Sequence, residues 1–327
     1  MQLILASIFS LFNELTVAVV LASLSFVGLH ILLNNKRTRV LRNEHSMLKE
    51  KEEASRTAYQ QRDLFRSRAK NIEDSLKYAQ RIQKAMFTTP EQMGEYFPES
   101  FIFNKPKDIV SGDFYWARRV NDKLLFSVAD CTGHGVPGAF LSLIGLEFFR
   151  QIVVEREIVR PASILNEMNI YFDRVFGNLN ELSLKDGIDL GFCSYDFRNH
   201  LLEYAGAFNP LYIVRNEQIM EIKGDRIIVG PDYGLERRSF TNHSIPMEEN
   251  DVIYMFSDGY PDQFGGPEGK KFKYRRFRHM LMSIHKLPMD EQHQRLEVNM
   301  NDWMGGLNEQ IDDQMVIGIR PASFSFS

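Results

Sequence analysis

Aspartates mark the ends of the apolar runs in this sequence. Asp113 stands in SGDFYW, Asp130 closes LLFSVAD, Asp258 closes DVIYMFSD, and Asp312 and Asp313 open DDQMVIGIR. A carboxylate at the end of a hydrophobic strand costs on the order of several kcal/mol if it is buried without a partner. Acids that converge at such strand ends suit hard divalent cations, whose shells are completed by oxygen ligands and water. No His and Cys set has zinc spacing, and the 2 cysteines, Cys131 and Cys193, are too few for a disulfide scaffold. Taken singly, a motif such as SDG is an ordinary hairpin turn. Acids ending several strands of one region make a metal centre the sharper reading.

The elements that must position these acids are strand-rich. Leu124–Asp130, Ile188–Asp196, His200–Ala207, Pro210–Arg215, Asp251–Asp258 and Gln314–Arg320 are β-prone, and turn residues such as Asn199 and Asn209 separate several of them closely. That spacing favours antiparallel hairpins. Helical stretches are expected over Pro137–Glu155, Ala162–Val175 and around Arg275–Ile284, with Pro137 suited to a first helical turn. Strands that come in runs, without strict alternation with helices, indicate an α+β fold.

The first third of the 327 residues differs from the rest. Leu15 to Leu33 carries no charged residue, and at ~1.5 Å per residue a helix of that length spans the ~30 Å hydrocarbon core of a bilayer. Lys36, Arg37, Arg39 and Arg42 follow it, whereas Met1 to Asn13 has no Lys or Arg. The positive-inside rule then predicts a single-pass anchor in the cytoplasmic (inner) membrane, with the rest of the chain in the cytoplasm. From Asn34 to about Thr88 there is neither Pro nor Gly, and one long helix is expected. Leu41, Leu48, Ala69 and Leu76 at heptad position a, with Ala58, Phe65, Ile72, Ala79 and Met86 at d, suggest a homodimeric coiled coil; the register is broken in its first half by Glu44, Lys51, Ser55 and Arg62. Pro90, Gly94 and Pro98 place a boundary there, giving an anchor (1–33), a linker helix (34–89) and a globular domain (90–327). With 44% hydrophobic residues wholesale disorder is excluded, and a net charge of -4 offers no field for a nucleic-acid partner.

Five ordered motifs carry a family resemblance: DIVSGDFYW (Asp108–Trp116), VADCTGHGVPGAFLSLIG (Val128–Gly145), LEYAGAFNPLYIV (Leu202–Val214), DVIYMFSDGYPDQFGG (Asp251–Gly266) and IDDQMVIGIR (Ile311–Arg320). From about Phe101 to Arg320 the chain resembles the SpoIIE/RsbU-type PPM (protein phosphatase 2C-like) serine/threonine phosphatases. The resemblance implies an α-β-β-α sandwich with a dinuclear Mg2+ or Mn2+ centre at one edge. On the matching positions, Asp113, Asp130, Asp258 and Asp312 would be metal ligands, Asp130 bridging, and Cys131 would coordinate through its main-chain oxygen. Asp313 would be a surface or supporting acid. The implied reaction is attack of a bridging hydroxide on phosphoserine or phosphothreonine of a regulatory protein, such as an anti-sigma-factor antagonist.

His134, in the GHG turn, would either protonate the leaving oxygen or be a turn histidine hydrogen-bonded to the backbone. The stretch before Asp113 has Lys105 and Lys107 where eukaryotic relatives place a phosphate-holding arginine; Lys107 either attracts phosphate or is a plain strand-end lysine. A catalytically silent, membrane-tethered scaffold is the alternative function, and the intact aspartates argue against it. Between linker and core, Ile82 and Phe87 are expected to dock on the catalytic domain, where a shift of the helix could switch activity.

Overall fold

The computed structural model describes residues 1–176, 187–230, 239–306 and 308–321. It divides into two compact units, Met1–Glu73 and Asp74–Ser327. Helix α1 (Gln2–Met86) is continuous over 85 residues, with no Pro and a single Gly, Gly28, in its length. In the first unit its large apolar residues are bare: Phe9, Phe26 and Leu32 early, Leu48, Phe65 and Ile72 later, are all exposed in the single chain.

In the second unit, α2 (Pro90–Tyr96) forms where turn residues alone suggested punctuation. Thr89 Oγ1 accepts from Gln92 N at 3.2 Å and Gln92 Oε1 accepts from Thr89 N at 3.0 Å, a capping box ahead of Pro90. The chain continues through β1 (Ser100–Lys105), β2 (Phe114–Val120), β3 (Lys123–Cys131) and α3 (Val136–Phe149), which runs on into a π-helical turn, Arg150–Glu155. Then come α4 (Pro161–Phe176), β4 (Ile188–Asp196), β5 (Leu201–Ala207), β6 (Leu211–Arg215), β7 (Gln218–Ile222), β8 (His243–Pro246) and β9 (Val252–Phe256). The short turn α5 (Gly259–Asp262), a ribbon of β10 (Phe264–Gly265) and β11 (Lys270–Lys271), α6 (Tyr274–Ile284), α7 (Met289–Met304) and β12 (Gln314–Ile319) complete it.

Two antiparallel five-stranded sheets result, in the orders β1-β12-β9-β6-β7 and β2-β3-β4-β5-β8. Their inner faces share one apolar layer that includes Tyr115, Phe126, Ile213, Met255 and Ile317. The outer face of the β2-β3-β4-β5-β8 sheet packs with α3 and α4 through Phe114, Trp116, Leu146, Phe149 and Leu165. The other sheet's outer face packs with α6 and α7 through Phe103, Tyr254, Phe256, Phe277 and Leu296. This is the expected α-β-β-α sandwich, and burial of three apolar layers is its main stabilising term.

Strands β1, β2, β7 and β8 and helix α7 are additions to the expected elements. Helix α7 buries only Met289, Gln292, Leu296 and Met300, one narrow stripe in a largely polar sequence. The end of α1 also differs from expectation. Ile82 is exposed; the docked stripe is Leu76, Gln80, Gln83 and Phe87, spaced by three and four residues. Residue 82 lies about 100° from 83 on a helix, which turns it off that stripe. Gln83 is buried: its Nε2 donates to Ser111 O at 2.6 Å and Ser142 Oγ at 2.9 Å, and its Oε1 accepts from Ser111 N at 3.2 Å. Phe87 docks as expected, with its ring 6.5 Å from that of Phe114.

Candidate metal centre and its basic rim

Antiparallel pairing gathers the acids. Strands β9 and β12 pair with Phe256 opposite Val316, so the residues after one and before the other, Asp258 and Asp312, fall at the same end. Strands β2 and β3 pair with Phe114 opposite Ala129, which does the same for Asp113 and Asp130. The segment 106–113 links β1 in one sheet to β2 in the other, and carries Asp113 across at that edge.

The four carboxylates act on one another. Asp113 is 2% exposed; burial raises its proton affinity well above the usual carboxylate range, opposed by a Ser257 hydrogen bond and reinforced by Asp313, Asp312 and Asp258. Asp130 is raised in the same way, by burial first and then by Asp113, Asp258, Asp312 and Asp189. Asp258 reaches solvent on one side, yet loss of hydration and the charges of Asp262 and Asp312 push it up to about 6, against the pull of Lys271 and a hydrogen bond from Asp130. Asp312 is raised by burial, with Asp313, His134 and Lys107 also acting on it.

A fifth carboxylate, Asp189, stands opposite Asp130 in the β3–β4 pairing. Burial and Asp258 push it up to about 6. The lone acid in the apolar run IDLGFC was the sequence signal for it. Ser257 gave no signal at all, since a serine before an aspartate reads as turn chemistry.

Cys131 is buried, and burial drives its thiol well above the ordinary cysteine range, so the sulfur is a poor ligand. Its carbonyl oxygen lies against Gly112, 3.4 Å from where a Cβ there would stand. Asp313 is buried and does not face solvent. Its Oδ1 accepts from Lys107 N at 2.7 Å and its Oδ2 from Gly112 N at 2.7 Å, so it clamps the segment that carries Asp113. Gly259 allows this packing: a Cβ there would stand 1.9 Å from the Asp313 carbonyl oxygen.

At the rim, His134 Nδ1 lies 2.8 Å from Asp108 Oδ2, and Lys107 Nζ lies 2.9 Å from His134 Nε2. His134 is thus held by two side chains, where the alternative expectation had the backbone as its partner. Lys105 Nζ donates to Asn301 Oδ1 at 3.1 Å, away from this chain of bonds.

The acids fit a hard cation. Asp113 Oδ2 and Asp189 Oδ1 are buried with no hydrogen-bond partner, a costly state that a cation would relieve, and the donors around them are oxygens. Among the described residues no three His, Cys, Asp or Glu side chains already stand in an ion-enclosing arrangement.

Residues 121–321 match the family model of stage II sporulation protein E (SpoIIE). The match begins after Asp113, so the fold, not the match, places that residue in the site. Phosphoserine phosphatase RsbU of Bacillus subtilis (strain 168) is 23% identical over 205 residues, 62% of this chain and 58% of the relative. The chain therefore spans less than two thirds of that relative's length. The SiaA-PP2C domain of Pseudomonas aeruginosa superposes with a TM-score of 0.70 and 32% identity, covering 77% of this chain and 97% of that one. The phosphatase domain of SpoIIE from Bacillus subtilis, with a fragment of its regulatory domain, gives a TM-score of 0.56 at 17% identity over 68% of this chain and 62% of its own. With a family model matched across more than half its length and a sandwich of the same architecture, the chain belongs to the SpoIIE/RsbU-type PPM phosphatases.

Proposed function

We propose that this chain is a metal-dependent phosphoprotein phosphatase that removes phosphate from serine or threonine of a regulatory protein in bacterial signal transduction. The observation that carries this reading is the convergence of Asp113, Asp130, Asp258 and Asp312 from four strand ends, with Asp113 Oδ2 buried and unpartnered. Those four side chains and the Cys131 carbonyl are the residues we assign to two divalent cations, Mn2+ or Mg2+. Bound there, the cations would activate a water and offset the charge on the phosphoryl oxygens. The protein's own part is positioning: Asp313 fixes the Asp113 segment, Ser257 orients the Asp113 carboxylate, and Gln83 buttresses Ser111 from the linker side. RsbU, a phosphoserine phosphatase, supports the substrate class, and an anti-sigma-factor antagonist fits it.

Helix α1 is long and apolar enough near its start to cross a membrane. We read 1–33 as a single-pass anchor in the cytoplasmic membrane, with the catalytic domain in the cytoplasm. Residues 34–89 are then a linker helix pairing with a second copy through its bare apolar seam, and 90–327 the catalytic domain. The last turns of the linker already belong to the compact unit that begins at Asp74.

The test is phosphate release from p-nitrophenyl phosphate and a phosphoserine peptide by the full chain in detergent, with Mn2+, with Mg2+ and with chelator. Turnover that appears with metal and disappears with chelator is expected. Absence of metal-dependent release from both substrates would refute the reading.

A further inference from the structure

This acidic chain carries one stretch of the opposite sign. From Lys270 to Met289 there are seven lysines and arginines and no aspartate or glutamate, in a chain of net charge -4. The stretch covers β11 and α6, and its cations fall into two sets. Lys270 pairs with Glu268 at 2.6 Å, Lys271 with Asp262 at 2.7 Å and Arg278 with Glu221 at 2.9 Å, and Lys286 pairs with Glu217. Lys273, Arg275 and Arg276 are exposed, and among the described residues none of the three pairs with an acid.

Stability does not explain the unpaired three. They stand in and just before the first turn of α6, where a helix favours acids and has none. Lys273 takes φ +73°, in the region that suits glycine. Arg276 lays its guanidinium over the Trp303 ring, 4.5 Å from the ring centre, which fixes the group and leaves its charge uncancelled.

Their backbone is tied to the acid floor. Asp262 N donates to Asp258 O at 2.9 Å, Lys273 N to Pro261 O at 2.6 Å and Phe272 N to Gln263 O at 2.9 Å. Trp303 Nε1 donates to the same Gln263 carbonyl at 3.0 Å. Tyr274, between the cations, has its ring 6.2 Å from that of Phe256, two residues before Asp258. Loss of hydration, and then the charges of Asp258 and Asp262, hold its hydroxyl above the usual tyrosine range. The three cations therefore stand beside the acid cluster, on the side of Asp258.

We infer that Lys273, Arg275 and Arg276 dock an acidic stretch of the protein substrate, next to its phosphorylated serine or threonine. The inference rests on the phosphatase reading above and adds the feature of the substrate chain that this surface selects. The occupant follows from position: a phosphorylated side chain that reaches the floor brings its own neighbours past α6. Five aspartates there repel an acidic protein, and uncancelled cations beside them offset the repulsion and steer such a partner in. Each exposed ion pair is worth up to about fivefold in affinity at low salt, and less as salt screens it.

The experiment gives the full chain, in detergent with saturating Mn2+, two phosphoserine peptides that differ only in their flanks. One has Asp and Glu, the other Asn and Gln. Turnover is read as kcat/KM, and binding of the unphosphorylated forms by fluorescence anisotropy. The acidic flank is expected to be favoured about tenfold in both, through KM, and to lose its advantage as salt is raised. Lys273→Gln combined with Arg275→Gln should bring the acidic-to-neutral ratio close to one. Arg275→Glu combined with Arg276→Glu should favour a Lys-flanked peptide instead, a reversal that misfolding does not produce. A ratio near one in the wild type, or a ratio unchanged in the variants, would overturn the inference. So would tighter binding of a single-stranded oligonucleotide than of an acidic peptide of equal charge. Anisotropy reads docking without turnover. A wild type that hydrolyses neither phosphopeptide, yet holds the acidic flank through these cations, would refute only the phosphatase reading.

Discussion

The floor and the rim of the site manage charge in opposite ways. On the floor, Asp113, Asp130, Asp189, Asp258 and Asp312 crowd like charges at the ends of buried strands, and two of their oxygens have no partner. At the rim, Lys107, His134 and Asp108 satisfy one another in a line. The rim groups pair with one another. The floor is under electrostatic tension that protons, or cations, relieve. A surface that keeps such tension instead of pairing it away has been shaped for a ligand more than for stability.

The strongest way to break this contrast is to remove a floor charge. Asp130→Asn and Asp113→Asn should lower Mn2+-dependent hydrolysis on the order of 10²–10³-fold. The same changes should raise the thermal midpoint of the metal-free protein by about 2–4 °C, the equivalent of ~1 kcal/mol at this size. Wild-type turnover in either variant would show that these acids do not hold the cations. Asp313→Ala probes an acid that is buried but already satisfied, and should do the reverse. It loses two charge-assisted hydrogen bonds to backbone and should destabilise the protein by ~2–4 kcal/mol in denaturant titrations, with or without metal.

The smallest effect is on pH. Asp189 and Asp258 are both pushed up to about 6, so the folded state binds their protons more tightly than the unfolded chain does. Their contribution to stability is full below about pH 4 and is lost as pH rises through about 6. Metal-free protein should lose ~1 kcal/mol from this source over that window, Asp258 adding little because solvent screens it. Mn2+ should restore the loss, with a larger gain at pH 7 than at pH 5. A gain independent of pH would separate these carboxylates from the metal.

Much of this arrangement was legible beforehand. Hydrophobic runs bounded by Asp130, Asp258 and Asp312 pointed to strands and to a shared edge, because an acid has few other reasons to stand there. Helix α7 was hidden by its single narrow apolar stripe, and β2 by the arginines that follow FYW. The clamp made by Asp313 and the support of Gln83 join residues about 200 and 28 positions apart in sequence, and no local pattern reports such a bond. At the end of α1, heptad phase suggested Leu76 for the dimer seam. The same spacing serves equally well to dock a helix on its own domain, and the phase of Gln83 decides for docking there.

The acids of the floor come from widely separated stretches of chain, and this has a kinetic consequence. Strand β1 pairs with β12 across nearly the whole domain, and Asp113 meets Asp312 only when that pairing is made. Contacts of such long sequence separation are slow to form, so the cation site is among the last features to appear as the chain folds. On the proposed reading an incompletely folded molecule would be unable to hold the cations, and their capture after β12 joins the sheet would act as a ratchet that slows the return to the open chain.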